Sequence, residues 1–309
     1  MAWLQQPETA TGYWGEVTST LIWCEEKYRW SKYLAEPCNA LSNVLFITLA
    51  VFGARWTYKA RLPFAFTGCY LGIALIGIGS FAFHSTMKYS MQVLDELPMI
   101  ITSIIYSLGI FETTPIGKTP RFRILLPLSI FVFLIFYITA YFLNKENTLL
   151  HQMTYAILQV GSAMRLYSLL SSSPSSALSK KGGKQALVRK GVASFFWTST
   201  ACFAAGFFLW NVDNIWCETL RKTRRSIGHI PGILLEGHAW WHIFTSFGSY
   251  YAGIAGSYLI GSIRESPETF QVVYTGPFKT VPYLKRVLPM PTDARSSNGA
   301  SLVKNGKAH

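Results

Sequence analysis

Seven apolar runs, each close to the length a helix needs to cross a bilayer, divide this chain of 309 residues. They cover roughly 37–57, 64–84, 93–111, 123–143, 148–170, 192–212 and 238–262. Inside lipid each backbone N–H and C=O must find its partner within the protein, so unpaired runs of this kind are helices. Composition agrees: 14% of residues are charged, against about 25% in a typical soluble domain. The sequence therefore predicts an all-α integral membrane protein, a seven-transmembrane helix bundle. The polar stretch before the first run has no basic n-region and no apolar h-region, so a cleaved signal peptide is not expected.

A net charge of +13 raises the question of nucleic acid as a partner. The basic residues lie in loops and tail, not on a soluble face interleaved with stacking aromatics, and nucleic acid is set aside. They serve instead as an orientation signal. Loops 55–63, 112–122 and 171–191, together with the tail after 262, carry most of the Lys and Arg. The positive-inside rule places that side in the cytosol. The expected organisation is a luminal N-terminal segment (1–36), a seven-span domain (37–262) and a cytosolic tail (263–309) whose end, 291–309, reads as disordered. The Ser- and Lys-rich segment 171–191 reads as a flexible loop. Nothing in the sequence points to a protein partner.

Six runs separate Cys24 from Cys217, which puts both on the luminal, oxidising side. A disulfide between them competes with two independent thiols. Cys38, Cys69 and Cys202 fall inside runs and read as apolar filler.

Ionisable groups within a bilayer are costly and mark functional sites by default. His84 closes the second run; His238 and His242 open the seventh, one helical turn apart on a single face. Asp95 and Glu96 open the third. Because spans alternate in direction, three imidazoles and a carboxylate reach the same luminal depth. Three neutral imidazoles leave one position of tetrahedral Zn²⁺ open, as in catalytic sites. Zinc lowers the pKa of a bound water to about 7 and polarises carbonyls. Ser80 shares the helical face of His84 and suits an oxyanion donor; Asp95 suits proton transfer. The competing reading is a set of core histidines with Asp95 as a helix cap. Asn211, Asp213 and Asn214 read as caps or as a pocket rim, and His151 as structural.

The stretches "GYWG…TSTLIWCEEKY…AEPCN", "GSFAFHSTMKYSMQVLDELPM", "FLWNVDNIWCETLR" and "HAWWHIFT" closely resemble the alkaline ceramidases. These belong to a larger superfamily of seven-span membrane hydrolases that includes adiponectin-type receptors and lipid-remodelling factors. The resemblance covers about 12–262. It implies a hydrolase that cleaves the amide of ceramide, phytoceramide or dihydroceramide to a sphingoid base and a fatty acid, in the endoplasmic reticulum or Golgi membrane, through a metal-activated water. Carried over by motif, the zinc ligands are His84, His238 and His242, the oxyanion donor is Ser80 and the proton carrier is Asp95. Cys24 and Cys217 match the family's disulfide.

The family's luminal calcium pattern, "DWCEEN…E", is kept here only in part. Trp23, Glu25 and Glu36 are in place, but Ile22 stands at the acidic position and Lys27 at the amide position. Calcium favours six to eight oxygen ligands with carboxylate charge, so weak calcium binding is expected. Beside the ceramide hydrolase stand three other readings: a receptor of the adiponectin type, a phospholipid-remodelling hydrolase of the same superfamily, and a channel or transporter.

Overall fold

A computed structural model describes residues 11–119, 124–145, 148–171, 183–276 and 279–289. The centre of the loop read as flexible and the end of the tail read as disordered lie outside the described residues.

The described residues form α1 (Pro37–Lys59), α2 (Phe64–Thr86), α3 (Tyr89–Phe111), α4 (Leu125–Leu143), α5 (Thr148–Ser171) and α6 (Gly183–Ile215). There follow the short α7 (Cys217–Ile227), the single turn α8 (His229–Gly232) and the long α9 (Gly237–Arg264). A hairpin of β1 (Phe270–Thr275) and β2 (Val281–Arg286) ends the described chain. Helices α1, α2, α3, α4 and α6 are long and apolar enough to cross a membrane, and the chain is a multi-pass membrane protein. Helix α9 falls short of that apolarity because Gly, Ser, Ala and His take most of its buried positions, with Ile254, Leu259 and Ile260 among them.

Helix α9 is the hub. It packs on α6, α1, α2 and α3, while α1, α2 and α3 pack in chain order. Close approach is built from small residues. A Cβ on Gly53 of α1 would stand 2.4 Å from the Tyr70 ring, and one on Gly253 of α9 2.5 Å from the same ring. Tyr70 of α2 is thereby wedged between two bare backbones, and its hydroxyl donates to the Tyr250 carbonyl at 2.8 Å. Helix α4 lies outermost, joined to α3 through Tyr137 and Tyr141 against Ile100 and Ile104. Its remaining face exposes Phe131, Val132, Ile135 and Phe136, an apolar surface suited to lipid.

Two features differ from the sequence reading. Helix α6 starts at Gly183 rather than near 192, so the Lys- and Arg-bearing end of the loop is helical. Long basic side chains extend a helix into the interface without leaving their charges in lipid. The tail also contains the antiparallel hairpin, paired from Phe270↔Arg286 to Thr275↔Val281. Phe270 and Leu284 are buried, Tyr283 stacks on Trp56 of α1, and Tyr250 of α9 donates to the Pro282 carbonyl at 2.5 Å.

The N-terminal segment is irregular but docked. The Thr18 and Ser19 amides both donate to the Met87 carbonyl at 3.1 Å, Ala35 to Ser85 at 3.0 Å and Glu36 to His84 at 2.9 Å. Met87 ends α2 in the left-handed conformation, with φ of 53°. The segment thus continues the hydrogen bonding of the α2 terminus and lays Glu36 beside His84.

Candidate metal centre and its carboxylate neighbours

His84 from α2 and His238 and His242 from α9 converge although the chain places them far apart. Each offers a nitrogen within 4.8 Å of the others. Ring centroids are 5.1 Å apart for His84–His238, 4.9 Å for His84–His242 and 4.6 Å for the pair on α9. All three are buried.

The partners of the outer nitrogens settle which nitrogen faces inward. Glu36 Oε2 lies 2.5 Å from His84 Nδ1. Nδ1 of His242 lies 3.1 Å from the Asn39 carbonyl and 2.8 Å from Ser42 Oγ. A carboxylate and a carbonyl can only accept, so each Nδ1 carries the proton and each Nε2 keeps a free lone pair. This is the outer-sphere arrangement that orients histidine ligands for a metal. His238 Nδ1 is buried without a hydrogen-bond partner, a cost that a metal would relieve. Its ring stacks on Trp23 at 4.1 Å. The donor set, three buried imidazole nitrogens, fits zinc with one position open.

Local structure explains these positions. Asp213 of α6 accepts from the Gly237 amide at 3.1 Å, supplying the first turn of α9 with a carboxylate cap one residue before His238. A side chain at 237 would strike the Leu209 carbonyl at 2.7 Å. Asn211 and Asn214 bond back to carbonyls of their own helix. Of this trio, then, Asp213 supports the site from behind, and His151 is tied to the Tyr137 hydroxyl at 2.9 Å.

Ser80 lies one helical turn before His84, and its hydroxyl faces the carboxylate of Asp95 of α3. Gly79 makes this contact possible: a Cβ there would stand 2.3 Å from the Leu94 carbonyl and 3.0 Å from the Asp95 amide. Glu96 turns away. It binds the Tyr141 hydroxyl of α4 and Gln92 Nε2, and Gln92 in turn holds Thr20 of the N-terminal segment.

The calcium-pattern residues are arranged around an ammonium. Lys27 Nζ donates to the carbonyls of Trp23 (2.8 Å) and Glu25 (2.9 Å) and pairs with Glu36 Oε1 at 2.5 Å. Burial alone would raise the Glu36 carboxyl, but the Lys27 charge and the His84 hydrogen bond outweigh it and hold it at about 2. The Glu25 carboxylate instead accepts from the Cys38 and Asn39 amides, both at 2.8 Å, capping α1. Burial and the neighbouring Glu36 push it up to about 7.

Cys24 and Cys217 form a disulfide with Cα atoms 5.4 Å apart. Arg221 and Arg224 of α7 both donate to the Cys24 carbonyl, at 2.8 and 3.0 Å. Sequence reasoning missed Asn39 and Ser42, and it named Trp23 only in the calcium pattern and Asp213 only as a cap or pocket rim. A signal existed for Asn39 and Ser42: together with Asn43 they place polar groups on one face of an otherwise apolar run.

A family model, Ceramidase, matches residues 15–285. Alkaline ceramidase 3 of Mus musculus is 34% identical over 239 residues, covering 77% of this chain and 83% of the mouse protein. Alkaline ceramidase YPC1 of Saccharomyces cerevisiae is 33% identical over 263 residues, covering 81% and 79%. The Arabidopsis thaliana alkaline ceramidase is 27% identical over 244 residues, covering 78% and 84%. A match of this extent, over all of the helices that build the histidine cluster, means that the chain belongs to the ceramidase family, among the alkaline ceramidases.

Proposed function

We propose that this enzyme is a zinc-dependent amidase that hydrolyses ceramide to a sphingoid base and a fatty acid. The observation that carries the reading is the convergence of His84, His238 and His242, with Nδ1 of His84 and of His242 held by acceptors and His238 Nδ1 buried without a partner. Zinc in such a set supplies Lewis acidity, lowering the pKa of water and polarising a carbonyl. The chain's own residues supply the rest. Glu36 and the Asn39 carbonyl fix the tautomers of His84 and His242. Asp95 takes a proton from the attacking water at its carboxylate and returns it to the amide nitrogen as the C–N bond breaks. Ser80, freed from Asp95 when substrate enters, donates its hydroxyl to the developing oxyanion.

In this reading all seven long helices span the membrane of the endoplasmic reticulum or Golgi, and 37–262 forms the catalytic domain. The N-terminus is luminal, beside the zinc site, and the tail from 263 is cytosolic. Lys and Arg distribution and the luminal disulfide support this orientation.

The test is purified protein in detergent, given ceramide, dihydroceramide, phytoceramide and a phospholipid, with zinc content measured alongside. Release of fatty acid from a ceramide, lost on zinc removal and restored by zinc, is expected. His84→Ala, His238→Ala and His242→Ala should each lose zinc and turnover together. Full turnover in a zinc-free preparation overturns the metal reading, and cleavage of phospholipid alone overturns the substrate.

A further inference from the structure

Lys27 occupies a place where the family pattern implies calcium, and the residues here do not fit that ion. Calcium needs six to eight oxygens at about 2.3–2.6 Å. In this chain the carbonyls of Trp23 and Glu25 and the Oε1 of Glu36 all point at one ammonium, which has three donors and three acceptors. The pair is closed to solvent, with side chains 1% and 0% exposed. Its charges cancel, so a divalent ion would add two uncompensated charges in a buried place. Ile22, at the acidic position, brings no carboxylate to offset them.

Glu36 is the hinge of the arrangement. One oxygen holds Lys27 and the other holds His84 Nδ1. We propose that Lys27 is a built-in cation that replaces calcium in this chain and acts as the positioning residue for Glu36, and through it for His84. The second half of this proposal rests on reading the three histidines as a zinc centre. Without the ammonium, Glu36 Oε1 loses its buried cation, and Asn39 Nδ2 at 3.1 Å is left to hold Oε2 beside His84. That loosens a histidine that must point its Nε2 inward.

The experiment uses the full chain purified in calcium-depleted buffer without a chelator that also takes zinc. Radiocalcium binding by equilibrium dialysis, melting temperature with and without calcium, and zinc affinity are measured for three proteins. The unmodified protein should bind no stoichiometric calcium at millimolar concentration and melt identically with and without it. Lys27→Met should weaken zinc affinity about 10–100-fold, the usual cost of losing an outer-sphere partner of a metal ligand. The double variant Ile22→Asp/Lys27→Asn should bind one calcium, and calcium should raise both its melting temperature and its zinc affinity. The double variant decides the matter if Lys27→Met does not fold. Micromolar calcium binding by the unmodified protein, a folded Lys27→Met with normal zinc affinity, or a double variant blind to calcium would each overturn the proposal. An unmodified protein that holds no zinc overturns the zinc reading instead, and the calcium-binding comparison still tests Lys27.

Discussion

Asp95 and Glu96 are adjacent carboxylates at the start of α3, and the helix sends them in different directions. Neighbouring residues on a helix diverge by about 100°, so one meets Ser80 on α2 and the other Tyr141 on α4. Asp95→Asn should keep its zinc, because Asp95 is outside the histidine cluster, while turnover falls about 10²–10⁴-fold with the loss of proton transfer. Ser80→Ala should likewise keep zinc and lose about 10²–10³-fold. Zinc stoichiometry measured beside turnover checks both, and loss of zinc in Asp95→Asn would make it a metal-holding residue instead. The imidazoles and Asp95 could be read from sequence because charge inside an apolar run is conspicuous. The role of Trp23 beside the histidines could not: the sequence pattern places it among calcium-site residues, and only the fold shows it stacked on His238.

Among the elements, the contact of α2 with α3 is the most exacting. Gly79 lets the α3 backbone come within reach of Ser80, and the Leu94 carbonyl fills the space a side chain would need. Gly79→Ala should push the helices apart, at an overpacking cost of about 1–3 kcal/mol, and lengthen the Ser80–Asp95 contact. The expected outcome is a lower melting temperature and a turnover loss comparable to Ser80→Ala, with zinc retained. The long helices were legible from their apolar runs to within a few residues, but the length of α6 was not. Lysines and glycine before residue 192 mask its helical start, and only helix–helix packing decides how far such an end extends. The hairpin was legible in principle. Its strands, FQVVYT and VPYLKR, join through a short turn holding Gly276, yet each is too short to stand out beside helices of bilayer length.

At the scale of the whole molecule, the Cys24–Cys217 bridge closes a loop across 193 residues of sequence. In the chain-entropy model such a closure stabilises by about 5 kcal/mol, an upper figure for a chain whose unfolded state keeps membrane helices. Cys24→Ser or Cys217→Ser should lower the melting temperature by several degrees, and reductant should do the same to the unmodified protein but not to the variants. The α7 arginines on the Cys24 carbonyl should keep part of the contact in place. The division of the histidines between α2 and α9 also has a meaning in time. A ribosome delivers His84, Glu36 and Lys27 early, and these three contact one another through Glu36 at the ends of the first two helices. His238 and His242 arrive only with the last long helix. The nascent chain therefore carries a single imidazole of the cluster through most of its synthesis, and the cluster is completed in one late step. On the zinc reading, a chain stalled before α9 would offer one imidazole of the three and would bind no metal at this site.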